Sequence, residues 1–124
     1  MRIAITANGT TLESNVDPRF GRCPYFIIAD SNNLHFESIK NDGQTAAEGA
    51  GIAAARLIAT KGVEAVFTGN CGPNAHQVLE AAGIKVFTEV SGKIEDAICD
   101  YNSGKFKATN RPNVASHSGM ESGA

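Results

Sequence analysis

The chain has 124 residues, the length of one domain, and 42% of them are apolar, enough to fill a hydrophobic core. Its formal net charge of -2 gives no basic footprint, which excludes binding of nucleic acid or an acidic membrane surface as the main activity. Three cysteines, an odd number and too few for a disulfide scaffold, suit a reducing compartment.

The pattern begins with "RIAIT", Arg2 to Thr6, a β-branched run closed by the turn signal "ANG". This first strand starts directly after Met1 and leaves no room for a leader, and no apolar run approaches the roughly 20 residues that span a bilayer. A cytoplasmic protein is expected. After a polar loop, "YFIIAD" (Tyr25 to Asp30) reads as a buried strand, and "LHFESIK" (Leu34 to Lys40) alternates back as its hairpin partner, with His35 facing solvent. From Ala46 to Lys61, Ala50, Ile52, Ala53, Leu57 and Ile58 fall mostly at helical spacing, and "KG" ends the helix. "EAVFT" (Glu64 to Thr68) is the fourth strand, Asn74 to Ala82 a second helix stopped by Gly83, and "KVFT" (Lys85 to Thr88) the fifth strand. Ser91 is the expected cap of a third helix with Ile94, Ala97 and Ile98 as its apolar stripe. Cys99 is expected to pack on that helix. Residues 105–124 are polar and small, and are expected to form a flexible tail after a domain over 1–104; ligation by His117 and Met120 in that tail is disfavoured.

Right-handed crossovers, with strand two as the only antiparallel member, give a five-stranded mixed sheet ordered 3-2-1-4-5 with helices on both faces. Strand order reverses between strands one and four. Open α/β sheets bind ligands at the carboxyl ends flanking such a point, so a crevice is expected there, lined by the loops after strands one and four and by the entry to the first helix. Cys23 and Cys71 are expected to face it.

Two stretches supply chemistry at that edge. In "TGNCGPNAHQ", Gly69 and Gly72 permit positive φ and close approach of a ligand to the backbone, Pro73 suits a first helical turn, and Asn70 or Asn74 is a candidate cap. Backbone N–H groups and the helix dipole would favour an anion and lower the pKa of a thiol at Cys71. A tight strand-to-helix connection around a small semi-buried cysteine accounts for the same residues. In "VDPRFGRCPYF", Arg19 and Arg22 beside Gly21 and Cys23 can neutralise a multiply charged anion. Alternatively Arg19 pairs with Asp17 and Arg22 is solvated, with Phe20 anchoring the loop in either case. Gly49 and Gly51 in "EGAGIA" cost helix stability and point to close packing against the sheet or, as the second alternative, to close approach of a ligand at the same edge. His76, one turn into the second helix, is a candidate metal ligand, though a solvent-facing position is the simpler expectation.

"RIAIT", "VDPRFGRCPYFIIAD", "GAGIAAARLI" and "GVEAVFTGNCGPNAHQVLEAAGIKVF", in this order, resemble the dinitrogenase iron-molybdenum cofactor biosynthesis family over about Met1 to Gly104. The resemblance implies a three-layer α/β/α, ribonuclease H-like fold and non-enzymatic binding or carriage of a metal-sulfur cluster, of molybdenum with iron or copper. The small chain is similar to stand-alone members that lack the extra domains of the larger nitrogenase proteins. A thiomolybdate-type cluster is a compact, soft anion, which Arg19, Arg22, Gly21, Gly69, Asn70, Gly72 and Asn74 suit without direct ligation, while Cys71, Cys23 and His76 are candidate ligands because soft donors select copper or iron. Expected partners are the cluster and a cluster-assembly ATPase or acceptor protein, with no nucleic acid and no membrane. Two rivals stand beside the carrier: a phosphatase or thiol-transfer enzyme using Cys71 as nucleophile, and a metal-free docking module for cluster assembly. Two-metal nuclease chemistry is poorly supported, since strand one runs into Ala7, Asn8 and Gly9 without an acid.

Overall fold

The computed structural model describes residues 1–43 and 49–105. The elements in chain order are β1 (Arg2–Ala7), β2 (Tyr25–Asp30), β3 (Phe36–Lys40), α1 (Ala50–Ala59), β4 (Ala65–Phe67), α2 (Pro73–Ala81), β5 (Lys85–Phe87) and α3 (Ile94–Asn102). The strands form one sheet in the order β3-β2-β1-β4-β5, as the crossover argument requires. β2 runs antiparallel to both neighbours, with Ile5 opposite Ile27 and Ile27 opposite Ser38, while β1, β4 and β5 are mutually parallel.

Alternation along the central strands builds two cores. Ala4, Phe26, Ile28, Val66 and Val86 face α1 and α2, meeting Ala54, Ala55, Ile58, Ala75 and Leu79. Ile3, Ile5, Ile27, Ala29 and Phe67 face the other way, onto Ile94, Ala97 and Ile98 of α3. The result is a three-layer α/β/α arrangement. Phe67 and Phe87 close the second core around Tyr101, with ring centroids 5.3–5.5 Å apart.

Several element ends differ from expectation for local reasons. Leu34 does not start β3: it sits in the turn at φ 60, its N–H donating to the Asp30 carbonyl at 3.0 Å. His35 is exposed, as expected. α3 is not capped by Ser91. Lys93 is its cap residue, without a side-chain bond, and the N–H groups of Ile94 and Glu95 donate instead to the Ser14 and Leu12 carbonyls, both at 3.0 Å. Backbone from the loop after β1 thus does the work of a capping side chain. Cys99 is exposed on α3, because the buried stripe of that helix is Ile94, Ala97 and Ile98 and position 99 lies off it. The expected helix residues 46–48, and His117 and Met120, lie outside the described residues.

Candidate functional site

The loops at the carboxyl end of β1 are joined by backbone bonds. Thr6 at that end accepts from the Asp17 N–H at 2.9 Å through its carbonyl, and its Oγ1 donates to the Asp17 carbonyl at 2.6 Å. The loop then pairs with the segment after β4: Asn70 N–H donates to the Pro18 carbonyl at 2.7 Å, and Phe20 N–H to the Asn70 carbonyl at 3.3 Å. Arg19 and Asn70 form a parallel bridge between the two. Phe20 is buried against Phe26, centroids 5.6 Å apart, and fixes the loop to the core as expected.

The glycines serve close approach. Neither Gly69 nor Gly72 adopts positive φ, contrary to one expectation: Gly72 is extended, and a Cβ on Gly69 would lie 2.6 Å from Pro18 Cα. A Cβ on Gly21 would lie 2.6 Å from the Gly51 backbone nitrogen, so the arginine loop rests directly on the first turn of α1. A Cβ on Gly51 would lie 3.3 Å from Ala75 Cβ in the first turn of α2. The starts of α1 and α2 therefore lie side by side, next to the loop that carries Arg19 and Arg22. Neither helix has a side-chain cap; the cap residues are Gly49 and Gly72, not Asn70 or Asn74. Asn70, Asn74 and Arg22 are exposed.

Arg19 makes the pairing expected of it: its N–H, Nε and Nη2 donate to the Asp17 carboxylate at 2.9, 3.3 and 3.3 Å. The Asp17 side chain is 6% exposed and that of Arg19 60%. The hydrogen bonds and charge of Asp17 hold the Arg19 guanidinium above its usual pKa.

The thiols depart from expectation. Cys23 and Cys71 are 0% and 1% exposed and belong to the core beneath α1 and α2, instead of facing a crevice. Cys23 Sγ donates to the Phe20 carbonyl at 3.3 Å, and burial first, then the Asp17 charge, pushes its pKa up to about 12. Burial alone pushes Cys71 up to about 12. The thiol at the helix start is thus protonated at neutral pH, because desolvation outweighs any help from the dipole. His76 is also buried, on the same side of α2 as Ala75 and Leu79, so the solvent-facing expectation fails. Among the described residues no group of three or more His, Cys, Asp and Glu side chains is arranged to hold a metal ion.

One residue escaped the sequence reading. Asn41, 2% exposed, donates through Nδ2 to the carbonyls of Gly21 and Cys23 at 3.1 and 2.8 Å, and its Oδ1 accepts from the Gly43 N–H at 3.2 Å. "NDG" signals a turn, but nothing in the string places it beneath residues 20 positions earlier. A cavity of about 300 Å³ lies at the opposite end of the sheet, lined among others by Arg2, Asp30, His35 and Glu37.

An open mixed sheet whose switch-point edge joins two helix starts to an arginine loop defines the class, an α/β protein of three layers. The comparisons narrow this class. The model of the family described as dinitrogenase iron-molybdenum cofactor matches residues 1–104, and the chain belongs to that family. An uncharacterised protein of Methanocaldococcus jannaschii is 33% identical over 110 residues, covering 86% of this chain and 90% of its own. The apo form of the orange protein from Desulfovibrio gigas superposes with a TM-score of 0.87 at 40% identity, over 90% of this chain and 95% of that one. A Thermotoga protein provisionally described as a NifB protein gives 0.75 at 36% identity, over 86% and 91%. Membership ties the chain to the iron-molybdenum cofactor. No helix among the described residues is long and apolar enough to cross a membrane.

Proposed function

We propose that residues 1–104 form a non-enzymatic carrier that holds a metal-sulfur cluster, molybdenum with iron or copper, as a compact anion, by electrostatics and hydrogen bonds and not through thiolates. The observation that carries this reading is the packing of the α1 and α2 starts, neither with a side-chain cap, against the loop bearing Arg19 and Arg22. Each helix start favours an anion by about 0.3–1 kcal/mol, and backbone N–H groups there supply directional donors. Arg19, Arg22 and the backbone of Gly21 and Gly72 form the cradle, with Asn74 at its rim, while Gly69 and Asn70 tie the arginine loop to the segment after β4. Cys71, Cys23 and His76 lie behind it as packing groups. Ligation of copper or iron by Cys71 would require the metal to enter the core beneath α1 and α2, where that side chain is buried. The same burial disfavours the Cys71 nucleophile of a phosphatase or thiol-transfer enzyme. Delivery would follow contact with an assembly ATPase or acceptor protein in the cytoplasm.

Anaerobic titration with tetrathiomolybdate, with and without copper(I), tests the proposal. Stoichiometric uptake that weakens with added salt and on Arg22→Ala, and survives Cys71→Ala, is expected. Uptake that vanishes in Cys71→Ala while that variant stays folded, or that ignores both salt and Arg22, would overturn electrostatic capture.

A further inference from the structure

Asp17 is an unusual neighbour for an anion site. Its carboxylate is nearly buried at the edge where the arginine loop meets α1 and β4, and its charge opposes an anionic cargo. Yet its backbone is held from both sides by Thr6, through bonds of 2.9 and 2.6 Å, and the carboxylate takes three donors from Arg19 alone. Thr6 is fixed in turn, its Oγ1 lying 3.0 Å from Thr68 Oγ1 at the end of β4. The chain of contacts runs from two central strands, through Asp17, to one guanidinium.

We propose that Asp17 is a positioning residue for the anion site: it holds Arg19 by the Nε and Nη2 edge, so that the remaining guanidinium N–H groups are presented to the cargo in one orientation. This inference rests on the cradle proposed above. A guanidinium has five N–H donors, and the side-on pairing with Asp17 uses two of them, leaving three. At long range the pair is nearly neutral, so Arg19 contributes direction, and Arg22 and the helix starts contribute net charge. A long side chain that is already immobile loses less entropy on binding than a free one, a difference that corresponds to between about two- and tenfold in affinity.

The two views of Asp17 predict opposite signs. By charge alone, Asp17→Asn removes a repulsion and tightens anion binding. By positioning, it releases Arg19 and weakens binding.

The test is a double-mutant cycle read by tetrathiomolybdate affinity, with Asp17→Asn, Arg19→Gln and the double variant, each checked for native thermal unfolding. The expected result is a loss of between about two- and tenfold in Asp17→Asn, and no further loss when it is added to Arg19→Gln. Equal or tighter binding by Asp17→Asn, or the same loss in the Arg19→Gln background, overturns the positioning role and leaves the cradle standing. Wild-type affinity in Arg19→Gln removes Arg19 from the cradle and the inference with it. Should Asp17→Asn not fold, the wild-type apo protein still decides: a rigid, slowly exchanging Arg19 Nε–H in nitrogen-15 NMR is expected, and a solvent-averaged one overturns the proposal.

Discussion

A methyl group at position 21 would meet three backbone atoms of Ala50 and Gly51 at 2.6–3.0 Å, and backbone cannot move aside as a flexible side chain can. Gly21→Ala is therefore expected to destabilise the fold by about 1–3 kcal/mol, by overpacking, and to shift the arginine loop away from α1. Thermal unfolding gives the first quantity and loss of tetrathiomolybdate affinity reports the second. The cysteines separate at the same scale. Cys99 is exposed while Cys23 and Cys71 are buried and protonated, so native protein at neutral pH should take one carbamidomethyl group from iodoacetamide, at Cys99, and three after denaturation. Peptide mass spectrometry checks the assignment; rapid native labelling of Cys71 would contradict its burial.

The first helix shows how position decides the effect of a glycine. Gly49 caps α1 at φ 71 with open space around its Cα, so Gly49→Ala meets no clash but forces a left-handed backbone on an L side chain, at about 1 kcal/mol. Gly51 lies in the first turn of the helix, where alanine gains part of the roughly 1 kcal/mol it would gain in a helix interior, against a tight 3.3 Å contact with Ala75 Cβ. Gly51→Ala should therefore be close to neutral in chemical denaturation, while Gly49→Ala loses stability; the reverse order would mean that the two helix starts are not packed as described. Period and turn chemistry made all eight elements legible, because β-branched runs and glycine stops are local signals. What lay outside that reading was set by contacts distant in sequence. α3 starts after Lys93, not at Ser91, because Leu12 and Ser14 carbonyls reach its first turn, and Asn41 supports the loop at Gly21 and Cys23 from 18 to 20 residues away. The pairing of Arg19 with Asp17 was readable because the partners are two residues apart. The burial of Cys71 was not, since a thiol at a helix start looks alike whether it faces solvent or a neighbouring helix.

The behaviour of the whole molecule with pH follows from those two thiols. In the unfolded chain a cysteine loses its proton near 9.0, whereas in the folded protein Cys23 and Cys71 keep theirs to about 12. Between these values the folded state binds more protons than the unfolded state, so unfolding free energy falls as pH rises. The contribution of the protonated thiols is complete below pH 9 and is lost progressively toward 12, with a slope of about 1.4 kcal/mol per pH unit for each thiol. Lysines and tyrosines also titrate in this range, so the informative quantity is a difference between variants. Cys71→Ala removes one of the two thiols and should reduce the alkaline slope of stability by up to about 1.4 kcal/mol per unit, measured by denaturant unfolding from pH 8.5 to 11. Because Cys23 and Cys71 share one core and keep their protons in the folded protein to about 12, the layer beneath α1 and α2 should stay intact from pH 8.5 to 11, and a bound anion should be released there only in step with global unfolding. A slope unchanged in Cys71→Ala would mean that this thiol ionises as readily in the folded protein as in the unfolded chain, and release of tetrathiomolybdate at a pH where the protein is still folded would mean that the layer beneath the cradle opens before it unfolds.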